Sequence, residues 1–179
     1  MEREEDMSAK ARIYLATSWR NEHQPRILAL LREAGHEVYD FHNPQVVRWM
    51  PPPHRHCLGG AVSSGFSWDE VDPDWRAWTP EGYVAGLQHP RAQEGFRRDF
   101  DAMRWCDICV VLMPCGPSAA LEAGWCRGNG RGLIVHVAGM REPDLMYLVA
   151  DQFTLTDKAL LDAIDNMMDA IDTMMTEGL

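Results

Sequence analysis

Residues 107–128 read DICVVLMPCGPSAALEAGWCRG, and this stretch decides the fold. ICVVLM is an unbroken apolar run, the pattern of a parallel strand buried on both faces. PCGP turns the chain, and SAALEAGWCRG continues as a helix with Ser118 as its candidate cap and Gly128-Asn129-Gly130 as its stop. Glu122 stands early in that helix, among Ala119, Ala120, Leu121, Ala123, Gly124 and Trp125. Small and apolar neighbours predict a helix packed on several sides, where a carboxylate must be partnered or functional. The competing reading is an ordinary solvated glutamate, since Glu is a good helix former.

The same alternation of strand and helix extends in both directions. RIYLAT, residues 12–17, reads as a first strand, and Ile27, Leu28, Leu30, Leu31 and Ala34 form a helical apolar stripe. Ser18, Asn21 or a neighbour is the expected cap of that helix, Gly35 its end, and HEVYDF, residues 36–41, the second strand. A helical pattern returns at residues 91–105, with Phe96, Phe100, Met103 and Trp105 on one side. GLIVHVA, residues 132–138, is a fourth strand, residues 142–149 a short helix and residues 152–155 a fifth strand. In the last helix Leu160, Ile164, Met167, Ile171 and Met174 step by 4, 3, 4 and 3, with Leu161, Met168 and Met175 alongside. That heptad-like face serves either packing on the sheet or a subunit contact, and a homodimer or higher homo-oligomer is expected. The elements predict an α/β fold: one doubly wound, flavodoxin- or Rossmann-like domain over residues 11–179, with a five-stranded parallel sheet and helices on both faces. Residues 1–10 read as a flexible tail and 156–177 as the C-terminal helix.

Residues 43–90 sustain no period. They hold three prolines at 51–53 and Trp49, Phe66, Trp68, Trp75 and Trp78. A long insertion of this kind is usually functional. Its aromatics, Trp68 among them, either stack on a planar ligand as a lid or pin the loop to the body.

Bulk properties narrow the function. Among 179 residues, Lys and Arg number 17 and Asp and Glu 27, a net charge of −10. This argues against a nucleic-acid backbone binder, which needs a basic face, but not against a small anionic ligand. No apolar run approaches the ~18 residues of a membrane span. The N-terminus, MEREEDMSAK, lacks the apolar region of a signal peptide, and the chain reads as cytoplasmic. The five cysteines, at 57, 106, 109, 115 and 126, include one CxxC, but Cys109 lies inside the apolar run. They read as reduced thiols rather than metal ligands. His54-Arg55-His56-Cys57 is too thin a pattern for a metal site, and Asp69, Glu70, Asp72 and Asp74 lack the glycine and closing Glu of a calcium loop. No cofactor or metal is expected. Asp107, before the third strand, reads as structural rather than catalytic.

In an open α/β sheet the ligand crevice lies beyond the carboxyl ends of the strands. Thr17, Ser18, Trp19 and Arg20 follow the first strand, His42 and Asn43 the second, and Gly116, Pro117, Ser118 and Glu122 the third. The helix N-terminus there suits a phosphate or carboxylate.

IYLA, FRRDFDAM, CDICVVLM, GPSAALEAGW and REPDLMYLV together resemble the nucleoside 2-deoxyribosyltransferase family, including the related 2′-deoxynucleoside 5′-monophosphate N-glycosidases. The resemblance covers residues 11–42 and 91–155; the Trp-rich insertion is longer than in the best-known transferases. It implies that Glu122 is a nucleophile at C1′, that Tyr14 orients it, and that Asp99 contacts the base and protonates the leaving nitrogen. Asp101 competes for the role of Asp99, and their spacing places the two on different helix faces. The chemistry is coherent: an oxocarbenium-like centre wants a carboxylate, and the departing base wants a proton. The sequence departs from the family at Gly116, where the transferases carry a sugar-contacting Asp and the glycosidases a phosphate-binding Ser. Nucleoside transfer, nucleotide hydrolysis, a non-catalytic nucleotide-binding protein and a nicotinamide-glycoside hydrolase therefore stay open.

Overall fold

The computed structural model describes residues 10–44, 65–140 and 142–177. Trp49, the prolines at 51–53 and residues 54–57 lie outside the described residues, as does most of the expected tail. In chain order the elements are β1 (Arg12–Ala16), α1 (Gln24–Glu33), β2 (Glu37–Tyr39), α2 (Pro80–Gly86) and α3 (Pro90–Trp105). There follow β3 (Ile108–Met113), α4 (Pro117–Gly128), β4 (Gly132–Val137), β5 (Gln152–Thr154) and α5 (Asp157–Glu177). The chain divides into two compact units, one of residues up to Tyr39 and from Trp105 onward, the other Asp40–Arg104.

The first unit is an α/β sheet, all parallel, in the order β2-β1-β3-β4-β5. β3 is central and buried at all six positions, as its unbroken apolar run requires. Alternation along the strands separates two faces. Ile13, Leu15, Ile108, Val110, Leu112 and Ile134 join Ile27 and Leu31 of α1 and Leu160, Ile164 and Met168 of α5 in one apolar core. The opposite face presents Tyr14, Cys109 and Val111 beneath α4, whose inner side is Ala119, Ala123 and Cys126. Helices thus cover both faces, the doubly wound arrangement expected.

Gly35 ends α1 at φ +94, a conformation that costs glycine least. At Gly132 the approach is close instead: a Cβ there would lie 2.1 Å from Met167 Sδ of α5, and that flexible side chain would have to shift.

Several local expectations change. The N-cap of α1 is His23 and carries no side-chain cap bond; Asn21 is occupied elsewhere. The N-cap of α4 is Gly116, with Pro117 at the first turn, so Ser118 lies inside the helix rather than capping it. α4 packs on one side only, with Leu121 77% exposed. Phe96 stacks on Phe100 but is 62% exposed, and the buried side of α3 runs instead through Gly95, Arg98, Ala102 and Met103. On α5, Leu160 and Ile164 are buried while Met174 and Met175 face outward. The helix expected over residues 142–149 is a short 3-10 helix, Leu145–Val149.

The second unit gives structure to part of the stretch without a period. Two 3-10 turns, Trp68–Glu70 and Trp75–Ala77, precede α2, and Thr79 caps α2 by accepting from Gly82 N. Trp68 meets Phe66, Trp78 and Tyr83 edge-on, with centroids 4.9, 5.4 and 6.1 Å away. Asp69 and Asp72 accept from the indoles of Trp75 and Trp78 at 3.0 and 2.5 Å, and Glu70 pairs with Arg91. The acidic turn thus anchors aromatic rings.

Candidate functional site

The strand order reverses between β1 and β3: the chain leaves β1 toward β2 on one side and leaves β3 toward β4 on the other. Beyond their carboxyl ends such a sheet opens a crevice. Here the two strand ends are tied together. Buried Thr17 donates through Oγ1 to Leu112 O at 2.8 Å. Buried Asn21 donates through Nδ2 to Thr17 Oγ1 at 2.8 Å and to Leu112 O and Pro114 O, both at 3.1 Å. Its Oδ1 accepts from His23 N at 2.9 Å, turning the chain into α1. Thr17 thus joins the ends of β1 and β3. Ser18 Oγ accepts from Arg20 N at 3.2 Å, and Trp19 and Arg20 are exposed.

Past β3 the peptide before Pro114 is cis, and the chain reaches Gly116 at the mouth of α4. Gly116 has φ −106 and ψ 178, ordinary extended backbone, and a Cβ there would meet nothing within 4 Å. Neither backbone nor space demands a glycine at this position. Ser118 is exposed in the first turn.

Glu122 is half-buried, one position from Ala123 and a turn from Ala119 and Cys126, all of which face the sheet. Its surroundings are recorded in the thiols. Burial pushes the Cys115 thiol up, the Tyr147 hydroxyl eases it, and the negative charge of Glu122 raises it again. The Cys126 hydrogen bond lowers the Cys109 thiol, but burial and the charges of Cys106 and Glu122 outweigh it, and the net shift is upward. At Cys126 the Cys106 bond lowers, while the Cys109 bond, burial and the charges of Cys109 and Glu122 carry the thiol up. One carboxylate is thus felt on β3, on the β3–α4 loop and within α4. Tyr14, buried to 1%, pairs with Cys109 in the β1–β3 register and stacks on Tyr39 at 5.6 Å. Tyr14 and Glu122 accordingly belong to the same side of the sheet.

Two features at this end escaped the sequence reading. Cys115 Sγ and Tyr147 Oη lie 2.8 Å apart and share a hydrogen bond, joining the β3–α4 loop to the 3-10 helix before β5. The residues were visible; nothing in their spacing paired them. The Asn21 clamp was legible only as a polar residue near a helix start.

At the other end of β3, Arg12 donates from N and Nε to Asp107 Oδ2 at 3.0 and 2.9 Å. Asp107 is a structural residue, away from the carboxyl ends.

Asp99 and Asp101 lie on α3, in the second unit, both half-buried. Asp101 pairs with Arg104 at 3.8 Å. Trp68 belongs to the aromatic packing of the same unit. The four described cysteines form no disulfide, and no group of three metal-ligating side chains occurs among the described residues. No described helix is long and apolar enough to cross a membrane.

Comparison with protein families and with curated proteins gives no match. Among solved structures the chain is similar to a 2-deoxyribosyltransferase from the psychrotolerant bacterium Bacillus psychrosaccharolyticus. The identity is 18%, over 84% of this chain and 90% of that one, with a TM-score of 0.48. It is also similar to a CMP N-glycosidase of Clostridium botulinum, at 16% identity over 86% of this chain and 98% of that one, with a TM-score of 0.43. These are likenesses of fold alone and assign no residue a role.

Proposed function

We propose that the chain cleaves or transfers the N-glycosidic bond of a (2-deoxy)nucleoside through a glycosyl-enzyme on Glu122. The carboxylate attacks C1′ as the bond to the base breaks; the electron pair leaves with the base, and Asp99 protonates the departing nitrogen. A second base then opens the Glu122 ester in transfer, or water opens it in hydrolysis. Tyr14 orients the carboxylate. Thr17, Ser18, Trp19, Arg20, Gly116 and Ser118 line the binding end, with Trp68 and Asp101 as further substrate contacts.

The observation that carries this reading is the place of Glu122: half-buried, on the sheet side of α4, its charge acting on Cys109 within β3 and on Cys115 just beyond the carboxyl end of that strand.

A second reading, hydrolysis of a nucleoside 5′-monophosphate, draws on Gly116. The open space over its Cα and the exposed Ser118 leave room for a phosphate at the mouth of α4. Nucleoside or nucleotide incubated with a second free base separates the two. Exchange of bases supports transfer; release of base without exchange supports hydrolysis. Ligand binding with no turnover over hours would support a non-catalytic nucleotide-binding protein instead. Self-association belongs to the same proposal, supported by Leu145, Met146 and Leu148, which are at least 70% exposed; light scattering of the purified chain tests it.

A further inference from the structure

α3 carries a cation that no described residue matches. Arg98 is 8% exposed, and its Nε is sealed from solvent with no hydrogen-bond partner. Among the described residues no carboxylate, carbonyl or ring engages its guanidinium. The two acidic residues within helical reach are already taken. Glu94, four residues before, accepts from Arg91 at 2.9 Å, and Asp101, three residues after, pairs with Arg104 at 3.8 Å.

Burying a guanidinium without a counter-charge is costly, and folded proteins pair such groups or use them. The helix face is otherwise small: Gly95 and Ala102, a turn to either side, are buried too. Phe66 packs directly on Gly95, where a Cβ would lie 3.1 Å from the Phe66 Cβ. A rigid, planar five-donor fork on a helix face of otherwise small residues is suited to receive two oxygens of one anion. We propose that Arg98 is the receptor of an oxyanion-binding site in the second unit, taking the phosphate or carboxylate group of a small-molecule ligand. The site stands apart from the Glu122 reading: it requires an anion to bind, not a bond to break.

The test is thermal unfolding of the full chain with inorganic phosphate, acetate, a nucleoside and its 5′-monophosphate as probes, compared with Arg98→Met and Arg98→Lys. A ligand bound only by the folded state raises the midpoint in a saturable way. Wild type is expected to respond to phosphate or acetate, Arg98→Met to neither, and Arg98→Lys to require at least a tenfold higher concentration. In anion-free buffer Arg98→Met should melt no lower than wild type, because a buried unpaired charge has been removed. A monophosphate that binds more tightly than both phosphate and nucleoside identifies an oxyanion carried by the ligand; phosphate binding as tightly as monophosphate identifies the free ion. Equal responses in wild type and Arg98→Met, or no response of wild type to either bare anion, would overturn the proposal. Should Arg98→Met fail to fold, Arg98→Lys decides: an unchanged affinity counts against the site.

Discussion

The side-chain amide of Asn21 donates to the backbone carbonyl of Pro114 at 3.1 Å, holding the loop after β1 to the loop after β3. The same amide reaches Thr17 Oγ1 and Leu112 O, so one buried residue satisfies groups on both sides of the point where the sheet reverses. Asn21→Ala leaves Thr17 as the one described side-chain donor to Leu112 O and removes the one described side-chain donor to Pro114 O. A loss of about 1–3 kcal/mol is expected, read as a lower denaturant midpoint with an unchanged slope. A midpoint like wild type would show that the clamp contributes nothing.

Glu122 and Cys115 offer a test of geometry that needs no substrate. The carboxylate charge raises the thiol, after burial and against the Tyr147 hydroxyl. Glu122→Gln removes that charge and should lower the pH at which Cys115 becomes reactive to iodoacetamide, followed by peptide mass spectrometry. Tyr147→Phe should move it upward, since the hydroxyl favours the thiolate. No movement in Glu122→Gln would place the carboxylate too far from the thiol to bear out the site described.

Gly86, in the last turn of α2, faces the Trp78 ring: a Cβ would lie 2.4 and 2.6 Å from its Cη2 and Cζ3. A ring cannot yield as the end of a flexible chain can. Gly86→Ala should therefore destabilise the second unit by about 1–3 kcal/mol, despite the better helix propensity of alanine. Trp78 fluorescence through a urea titration reads it; a stabilised variant would mean the ring moves freely.

His136 is 1% exposed in β4, its Nδ1 2.9 Å from Thr154 Oγ1. Burial lowers its pKa below the ordinary 6.5; Asp157 opposes this and Arg26 and His23 assist it. His36 is lowered as well, first by burial. A depressed histidine means the unfolded chain takes up the proton first. Stability is then fully present above about 6.5 and is lost as pH falls from there through the folded pKa. Between pH ~7 and ~5.5, where most carboxylates stay ionised, His136→Gln should lose less stability than wild type. Parallel curves would contradict the shift.

How much the sequence disclosed depended on whether a feature was local. The apolar run of β3, the stripe of α1, the glycine stop at Gly35 and the stepped row of α5 follow from periodicity within one segment, and the sheet they imply is the one observed. The misplaced caps have separate causes. Ser118 and Asn21 are good capping residues, but Pro117 opens the first turn of α4 and puts the cap two residues earlier, at Gly116, and Asn21 finds partners on β3, some ninety residues away. Pairings between distant segments, such as Cys115 with Tyr147 or Trp68 with Trp78, leave no periodic trace. The small neighbours of Glu122 predict a helix packed on several sides; α4 is packed on one, and Glu122 is half-buried beside the packed row Ala119, Ala123 and Cys126. Arg98 went unnoticed inside FRRDFDAM because a buried arginine looks like a solvated one until its neighbours are known.

The central claim is that Glu122 is the nucleophile. Base release or exchange from deoxynucleosides and their 5′-monophosphates, followed by chromatography for wild type and Glu122→Gln, tests it most directly. The account predicts turnover by wild type and a loss of at least about a thousandfold in the variant, with fold and midpoint retained. Turnover by Glu122→Gln at the wild-type rate would contradict it.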